Sequence, residues 1–398
     1  MSAAEPQPVT CRWCGAPDGE VVLDLGDQPA ADHFPAVDDP GPDPVHPLRM
    51  WLCAACGLAQ LAEDPTTPEE PRGAEPEALV AQARDAVARA HSAGLLPAGG
   101  TVTEFGSPHG GTWLELLAAV GLTGAAPGEP ADVVVDCFGL MHAADQAAGL
   151  AERAAATAPG GTLLLQFHSL AAIVADGQWN ALRHGHFAYY ATPVLARMLE
   201  AIGFEVTHGF LFDLYGGTVL LAARRREVDG PRDIPSVTHL LEREAALGVT
   251  DTGGVGTLGK AAQRSAEALR EHLVAAREAG RLVLGYAAAS RAVPLLNRAQ
   301  VGPELLPAVA DAAPGKRGRR VPGVGVPIIV PDELVARRPD EVVLFVADML
   351  AEMRRRLPDV EAAGGRWVVA DPTLAVPAAG PVHEAAGPDG GGGGRPTG

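Results

Sequence analysis

The 398-residue chain is poor in aromatic side chains, with nine Phe, five Trp and four Tyr. Its cores must be built mainly from Ala, Val and Leu, so any local cluster of aromatics stands out. The chain also lacks basic charge. With 49 acidic against 31 basic side chains, the formal net charge is −18 and the pI near 5.0, a balance that disfavours nucleic acid or anionic lipid as a partner. No uncharged apolar run reaches the length of a membrane span, and Met1 to Pro8 lacks the basic start and apolar core of a signal peptide. The expectation is a cytoplasmic protein with no membrane and no nucleic-acid partner; composition sets no oligomeric state. Five cysteines are too few and too patterned for a disulfide framework.

What is there begins with turns, since 48 Gly and 35 Pro make up about a fifth of the chain. At about 150 residues per domain, the length predicts two to three domains. Cys11 and Cys14 form one C-x-x-C and Cys53 and Cys56 a second, while Cys137 stands alone. A single C-x-x-C can be a redox pair, but two of them in turn-rich sequence supply the four soft ligands of tetrahedral zinc. Four protein ligands leave no open position, so the zinc is expected to be structural and to hold residues 1–66 together.

Residues 66–80 are rich in Pro, Glu and Gly and read as a connector, followed by a helical pattern from Ala78 to Ala90. Thr101 to Phe105 reads as a strand, Gly106 to Gly111 as a glycine-rich turn and Thr112 to Val120 as an amphipathic helix. Such a turn lets backbone N–H groups approach a ligand at a helix start, though it also occurs without one. Further strands are expected at Ala131 to Phe138 and Gly161 to His168, which makes a doubly wound sheet. Arg183 to Tyr190 then packs two histidines and three aromatics into eight residues. A core cluster with a satisfied histidine and a pair of pocket histidines, His184 and His186, are both compatible with it. Two helical patterns from Ser236 to Ala279 are expected to be broken by Gly253 to Gly259, and strands are expected at Arg281 to Tyr286, Asp340 to Val346 and Arg366 to Val369. Basic clusters at Arg224 to Arg226 and Arg354 to Arg356 read as solvated edges. Residues 383–398, with five consecutive glycines from Gly390, read as a disordered tail.

The paired C-x-x-C, the E-x-G-S of Glu104 to Ser107, the histidine-aromatic run and a downstream Gly285-Tyr286 together resemble the S-adenosylmethionine-dependent C-methyltransferases of nucleotide-linked keto-deoxysugars in natural-product pathways. The resemblance spans residues 9–377. It implies an α/β protein with a zinc-binding module (1–66), a Rossmann-like methyltransferase domain (67–228) and a second Rossmann-like domain (236–378) that helps hold the sugar nucleotide. The implied reaction removes a proton beside a ketone of a dTDP-linked sugar and methylates the enolate. Carried onto this sequence, it makes His186 the general base, has His142 and His184 orient substrate, and sets Tyr190 against the sugar. Glu104, Gly106, Ser107 and Gly110 would meet S-adenosylmethionine. Arg291 at a strand end, with Asp311, Lys316 and Arg320 in the Asp311 to Pro327 loop, would meet the nucleotide diphosphate.

The chain departs from that pattern in ways that bear on chemistry. Pro108-His109 replaces the Asn-Asp of the cofactor turn, Arg183 replaces a Tyr, Gly185 replaces a Glu, and Asp64 to Ala90 carries no aromatic residue. The stretch from Gly106 to Val133 is also short. Methyltransferases of this class place two further strands and a helix there, the second strand ending in an acid for the cofactor ribose, whereas a single parallel crossover already needs about a dozen residues. Weak or absent S-adenosylmethionine binding is therefore expected. The alternatives are a proton-moving isomerase or cyclase and a non-catalytic partner protein.

Overall fold

The computed structural model describes residues 8–66, 76–106, 111–226, 235–370 and 374–375, and the expected tail at 383–398 lies outside them. The N-terminal module is an antiparallel sheet of β1 (Gly19–Pro29), β2 (Val45–Cys53) and β3 (Ala59–Leu61). The middle module supplies β4 (Thr101–Phe105), β5 (Thr123–Gly124), β6 (Ala131–Cys137), β7 (Thr157–His168), β8 (Ala188–Tyr189), β9 (Phe204–Phe212) and β10 (Thr218–Arg225). Six of these form one sheet in the order β5-β4-β6-β7-β10-β9, parallel from β5 to β7 and antiparallel beyond. The seventh, β8, leaves it and pairs with β3, Ala59 opposite Tyr189, as the fourth strand of the N-terminal sheet.

Alternation in the middle strands shows why this sheet is buried on both faces. Val133 and Val135 join a core with Ala83, Ala86, Val87 and Ala90 of helix Glu77–Ser92, while Val134 points into the main core on the other side. The predicted strand at Ala131 and the predicted helix at Ala78 are both present.

The C-terminal module contains β11 (Val283–Tyr286), β12 (Val309–Ala310), β13 (Ile328–Ile329), β14 (Glu341–Leu344), β15 (Arg366–Ala370) and β16 (Leu374–Ala375). Its order β13-β12-β11-β14-β15-β16 is parallel except for β16, so it is a Rossmann-like sheet with its switch point beside β11. Two long helices, Pro235–Ala246 and Thr257–Glu278, are separated as expected, but the glycines at 253–259 are not all in the break. They fall within helix Thr252–Val255 and at the start of Thr257–Glu278, with Gly256 between. The close turn Gly248 to Gly254 has no room for a Cβ at Gly254, so glycine serves backbone packing there. Among the described residues no helix is long and apolar enough to cross a membrane.

One buried ion pair shapes the turn that follows β6. Arg153 Nε donates to Asp136 at 2.7 Å, and the other Asp136 oxygen accepts from Gly139 N (2.8 Å) and Leu140 N (3.0 Å). Both side chains are buried, and burial, the largest influence, raises the Asp136 pKa despite Arg153. Removing one partner of such a pair leaves an uncompensated buried charge. Arg153→Ala is expected to lower stability by about 3 kcal/mol in urea unfolding, whereas exposed Arg226→Ala should stay within about 0.5 kcal/mol of the parent.

Candidate active site and metal centre

The four paired cysteines converge as the spacing requires. Each knuckle closes with a backbone bond, Gly15 N to Cys11 O at 3.0 Å and Gly57 N to Cys53 O at 2.9 Å. Cys11 Sγ lies 3.5 Å from Cys56 Sγ, Cys14 Sγ 3.7 Å from Cys53 Sγ, and all four sulfurs fall within 4.8 Å of one another. Tetrahedral zinc with bonds of about 2.3 Å needs sulfur separations near 3.8 Å, so the donor set fits the metal. The hydrogen bond between Cys11 and Cys56 lowers the pKa of the Cys11 thiol and, with burial, raises that of Cys56, so the pair shares a proton. Four thiolates would fill the coordination sphere and act structurally.

The metal knuckle also supports the histidine-aromatic segment. Arg12, inside the first C-x-x-C, lies over the Phe187 ring at 4.8 Å and donates to Ala144 O and Leu61 O. Asp64 accepts from Gly185 N at 2.6 Å, and Gly185 O accepts from His142 Nδ1 at 2.8 Å. Gly185 has φ +81°, a left-handed turn that a Glu would strain.

A cavity of about 320 Å³ opens where the carboxyl ends of both parallel sheets meet, the usual ligand position in such sheets. Cys137, Phe138 and His168 reach it from the middle sheet, Tyr286, Ser290 and Arg291 from the end of β11, Asp311 and Lys316 from the end of β12, and Asp32 from the N-terminal module. Three of the non-glycine residues with left-handed backbone, Phe138, Tyr215 and Ala287, line it.

Among the residues expected at the site, His186, Arg291, Asp311 and Lys316 line this cavity. Arg183 Nε donates to His186 Nε2 at 2.7 Å, and the same guanidinium bonds Ser290 Oγ and lies 3.5 Å from Asp32. Arg291 bonds Gln178 Oε1 at 3.3 Å and His168 Nδ1 at 3.4 Å, above the Tyr215 ring. Lys316 is tied to Ala288 O (2.8 Å) and Asp311 (3.2 Å).

Other expected residues stand elsewhere. His142 packs its ring edge-on against His186 at 4.7 Å and supports it from behind. His184 is buried, donates from Nε2 to Pro47 O at 3.1 Å, and holds β2 rather than a ligand. Tyr190 is a core residue, bonded to Gln146 Oε1 and packed on Phe167. Arg320 bonds Asp43 at 2.6 Å, and Arg319 reaches Phe34 O, so this end of the cationic loop docks the N-terminal module instead of a diphosphate. Glu104 accepts from Trp113 N (2.6 Å) and Thr112 Oγ1 (2.5 Å). Gly106 follows β4, with open space where a side chain would begin; Ser107 and Gly110 lie outside the described residues.

Sequence reasoning missed His168, Tyr215 and Asp32 as cavity residues. A signal for two of them existed. His168 ends a parallel strand on the ligand side, and Tyr215 is one of only four tyrosines in an aromatic-poor chain, forming part of the cavity wall with Tyr286.

A family model described as the C-methyltransferase C-terminal domain matches residues 213–372, and a second, whose description proposes a zinc-binding domain, matches 11–70. The C-methyltransferase NovU of Streptomyces niveus is 24% identical over 410 aligned positions, taking in 91% of this chain and 95% of that protein. The chain is thus similar to C-methyltransferases in its C-terminal part and over most of its length, and to a proposed zinc-binding domain in its N-terminal part. Among solved structures, magnesium protoporphyrin IX methyltransferase from Synechocystis is 16% identical, covering 37% of this chain and 83% of that one at a TM-score of 0.29. The 1,6-didemethyltoxoflavin-N1-methyltransferase of Burkholderia thailandensis is 15% identical, covering 43% and 96% at a TM-score of 0.25.

The residues present do not fit the whole of the methyl donor S-adenosylmethionine that the family resemblance implies. Around β4 and β6 the cavity wall is formed by Gly111, Thr112, Trp113, Cys137 and Phe138. The neighbouring β5 is a two-residue exposed edge strand, and Gly124-Ala125 at its end offers no carboxylate for a ribose.

Two outcomes follow. Metal analysis of the purified protein should find one zinc per chain, and Cys53→Ser should lose the metal together with several degrees of melting temperature. Burial, and for His168 the adjacent Arg291, hold the pKa values of His168 and His184 below the ordinary imidazole value. Unfolding at acid pH therefore takes up protons, so this stability is present above pH ~6.5 and is lost as pH falls below it, by at most about 1.4 kcal/mol per unit and group. The melting temperature should fall between pH 7 and 5.5, and His168→Gln should flatten that slope.

Proposed function

We propose that the cavity binds a nucleotide-linked keto-deoxysugar, of the dTDP class, and that His186 removes the proton beside its ketone, the opening step of C-methylation in natural-product biosynthesis. The observation that carries this reading is the 2.7 Å contact between His186 Nε2 and Arg183 Nε inside the cavity. In a ketone the acidic C–H and the carbonyl oxygen sit on adjacent carbons, so enolisation needs a base and an oxyanion donor side by side. Arginine keeps its proton, so in this pair His186 Nε2 presents the lone pair. When a carbonyl oxygen takes the guanidinium, that lone pair turns free to accept the C–H proton.

The rest of the cavity supports a nucleotide-linked substrate. Arg291 and Lys316 stand at the carboxyl ends of β11 and β12, near the switch point where Rossmann-like sheets receive phosphates. Tyr286, whose hydroxyl is pushed up to about 12 by burial, stays a neutral donor there. His142 holds the His186 ring through an edge contact and fixes its own tautomer on Gly185 O. The enolate is the nucleophile that C-methylation requires, and forming it is the work of this chain's own residues.

Removing the base should slow α-proton removal from a dTDP-linked 4-keto-6-deoxysugar by about 10²–10⁴-fold in His186→Gln, followed as deuterium uptake by NMR. Arg291→Ala should weaken binding of the same compound by about tenfold or more in calorimetry while leaving the zinc content unchanged. Full activity in His186→Gln discards the assignment.

A further inference from the structure

The middle sheet is cut short on the side where a nucleoside would lie, at the two-residue edge strand β5. In a Rossmann-like nucleoside site the first strand ends in a glycine turn, and about 20 residues further an acid at the next strand end binds the ribose. Here the path from β4 returns through helix Leu114–Ala119 to β5, which pairs only as Thr101 with Thr123 and Val102 with Gly124. Six residues later the chain enters β6 on the other side of β4. The acid in that link, Glu129, is exposed in a turn.

The groups that do face the glycine turn are engaged with the protein. Glu104 closes on Thr112 and Trp113. Trp113 is buried against Val102, Leu117 and Val133 while forming part of the cavity wall. Among the described residues, none between Trp113 and Cys137 lines the cavity. The base and oxyanion pair, by contrast, is held by Ser290, Asp32 and His142, all away from that face.

We infer that this chain does not hold S-adenosylmethionine as a tightly bound cofactor and that it moves the α-proton of its keto substrate without it. The inference rests on the proposed enolisation. The step balances within the site. His186 takes the C–H proton, the electron pair forms the C=C bond, the carbonyl oxygen becomes an enolate against Arg183, and return of a proton from His186 restores the ketone. No oxidant, reductant or second substrate is consumed, and a proton returned to the opposite face would epimerise the carbon.

The test uses the full zinc-loaded chain and two probes. S-adenosylmethionine and S-adenosylhomocysteine, titrated to about 1 mM, are expected to give no saturable heat and no rise in melting temperature, because only ligands that bind the native state raise it. A dTDP-linked 4-keto-6-deoxysugar is expected to raise the melting temperature and, in D2O, to gain deuterium beside the ketone at the same rate with and without S-adenosylmethionine. His186→Gln, which leaves the module-bridging Arg183 in place, should abolish that gain with its melting temperature kept. Micromolar binding of S-adenosylmethionine, or exchange that requires it, overturns the inference and leaves the enolisation reading standing. Sugar binding without exchange under either condition overturns both the cofactor-free step and His186 as base. A sugar that neither binds nor exchanges overturns the proposed function itself.

Discussion

The buried guanidinium of Arg183 is the constraint on which the arrangement of the molecule depends. A cation removed from water is costly by several kcal/mol unless its donors are met, and Arg183 is 8% exposed. Its partners come from three modules: Asp32 follows β1, His186 precedes β8, and Ser290 follows β11. The charge is satisfied only when all three modules are docked, so assembly of the molecule and assembly of the site are one event. The zinc knuckle acts through the same segment. Arg12 on Phe187, Asp64 on Gly185 and β3 on β8 fasten residues 185–189 to the module that carries the four cysteines, so the segment with His186 is positioned by groups outside the cavity.

The second constraint is the short link between β4 and β6. A sheet that ends in a two-residue strand loses the surface on which a nucleoside would lie, yet keeps its core, because helix Glu77–Ser92 and Trp113 cover the same face. Fold and cofactor site can therefore part company. The C-terminal sheet shows the opposite case, with five parallel strands, an intact switch point and cavity residues at the ends of β11, β12 and β14. The C-terminal sheet is thus the more complete of the two parallel sheets, and the middle one is cut short at its β5 edge.

Much of this was legible in the residues before any coordinates. The double C-x-x-C, the apolar strands at 131–138 and 161–168 and the missing crossover all follow from local spacing, and local spacing is what strands, knuckles and turns obey; the earlier start of β7, at Thr157, does not. The misplacements have a different origin. Arg320 reads as a phosphate ligand because its partner Asp43 lies 277 positions away, and no local pattern announces such a pairing. Tyr190 and His184 share a conspicuous run with His186, but the left-handed turn at Gly185 and the brief strand β8 send them to different surroundings: Tyr190 meets Gln146, His184 meets Pro47 and His186 meets the cavity. A cluster in sequence identified the segment and left its facing to tertiary contacts.

Backbone strain indicates which part of the cavity is held rigidly. Left-handed conformations cost non-glycine residues about 1–3 kcal/mol each and persist only where surroundings enforce them. Phe138 and Tyr215 meet edge-on at 6.1 Å, Arg291 covers Tyr215, and Ala287 N is fixed to Ala310 O at 2.8 Å. These restraints come from protein groups on both sheets, and none requires a bound nucleoside. A cavity whose shape is enforced by its own packing can present His186 and Arg183 in register with or without a cofactor beside them. For enolisation this is the property that matters, because base and oxyanion donor must already be in place when the carbonyl arrives.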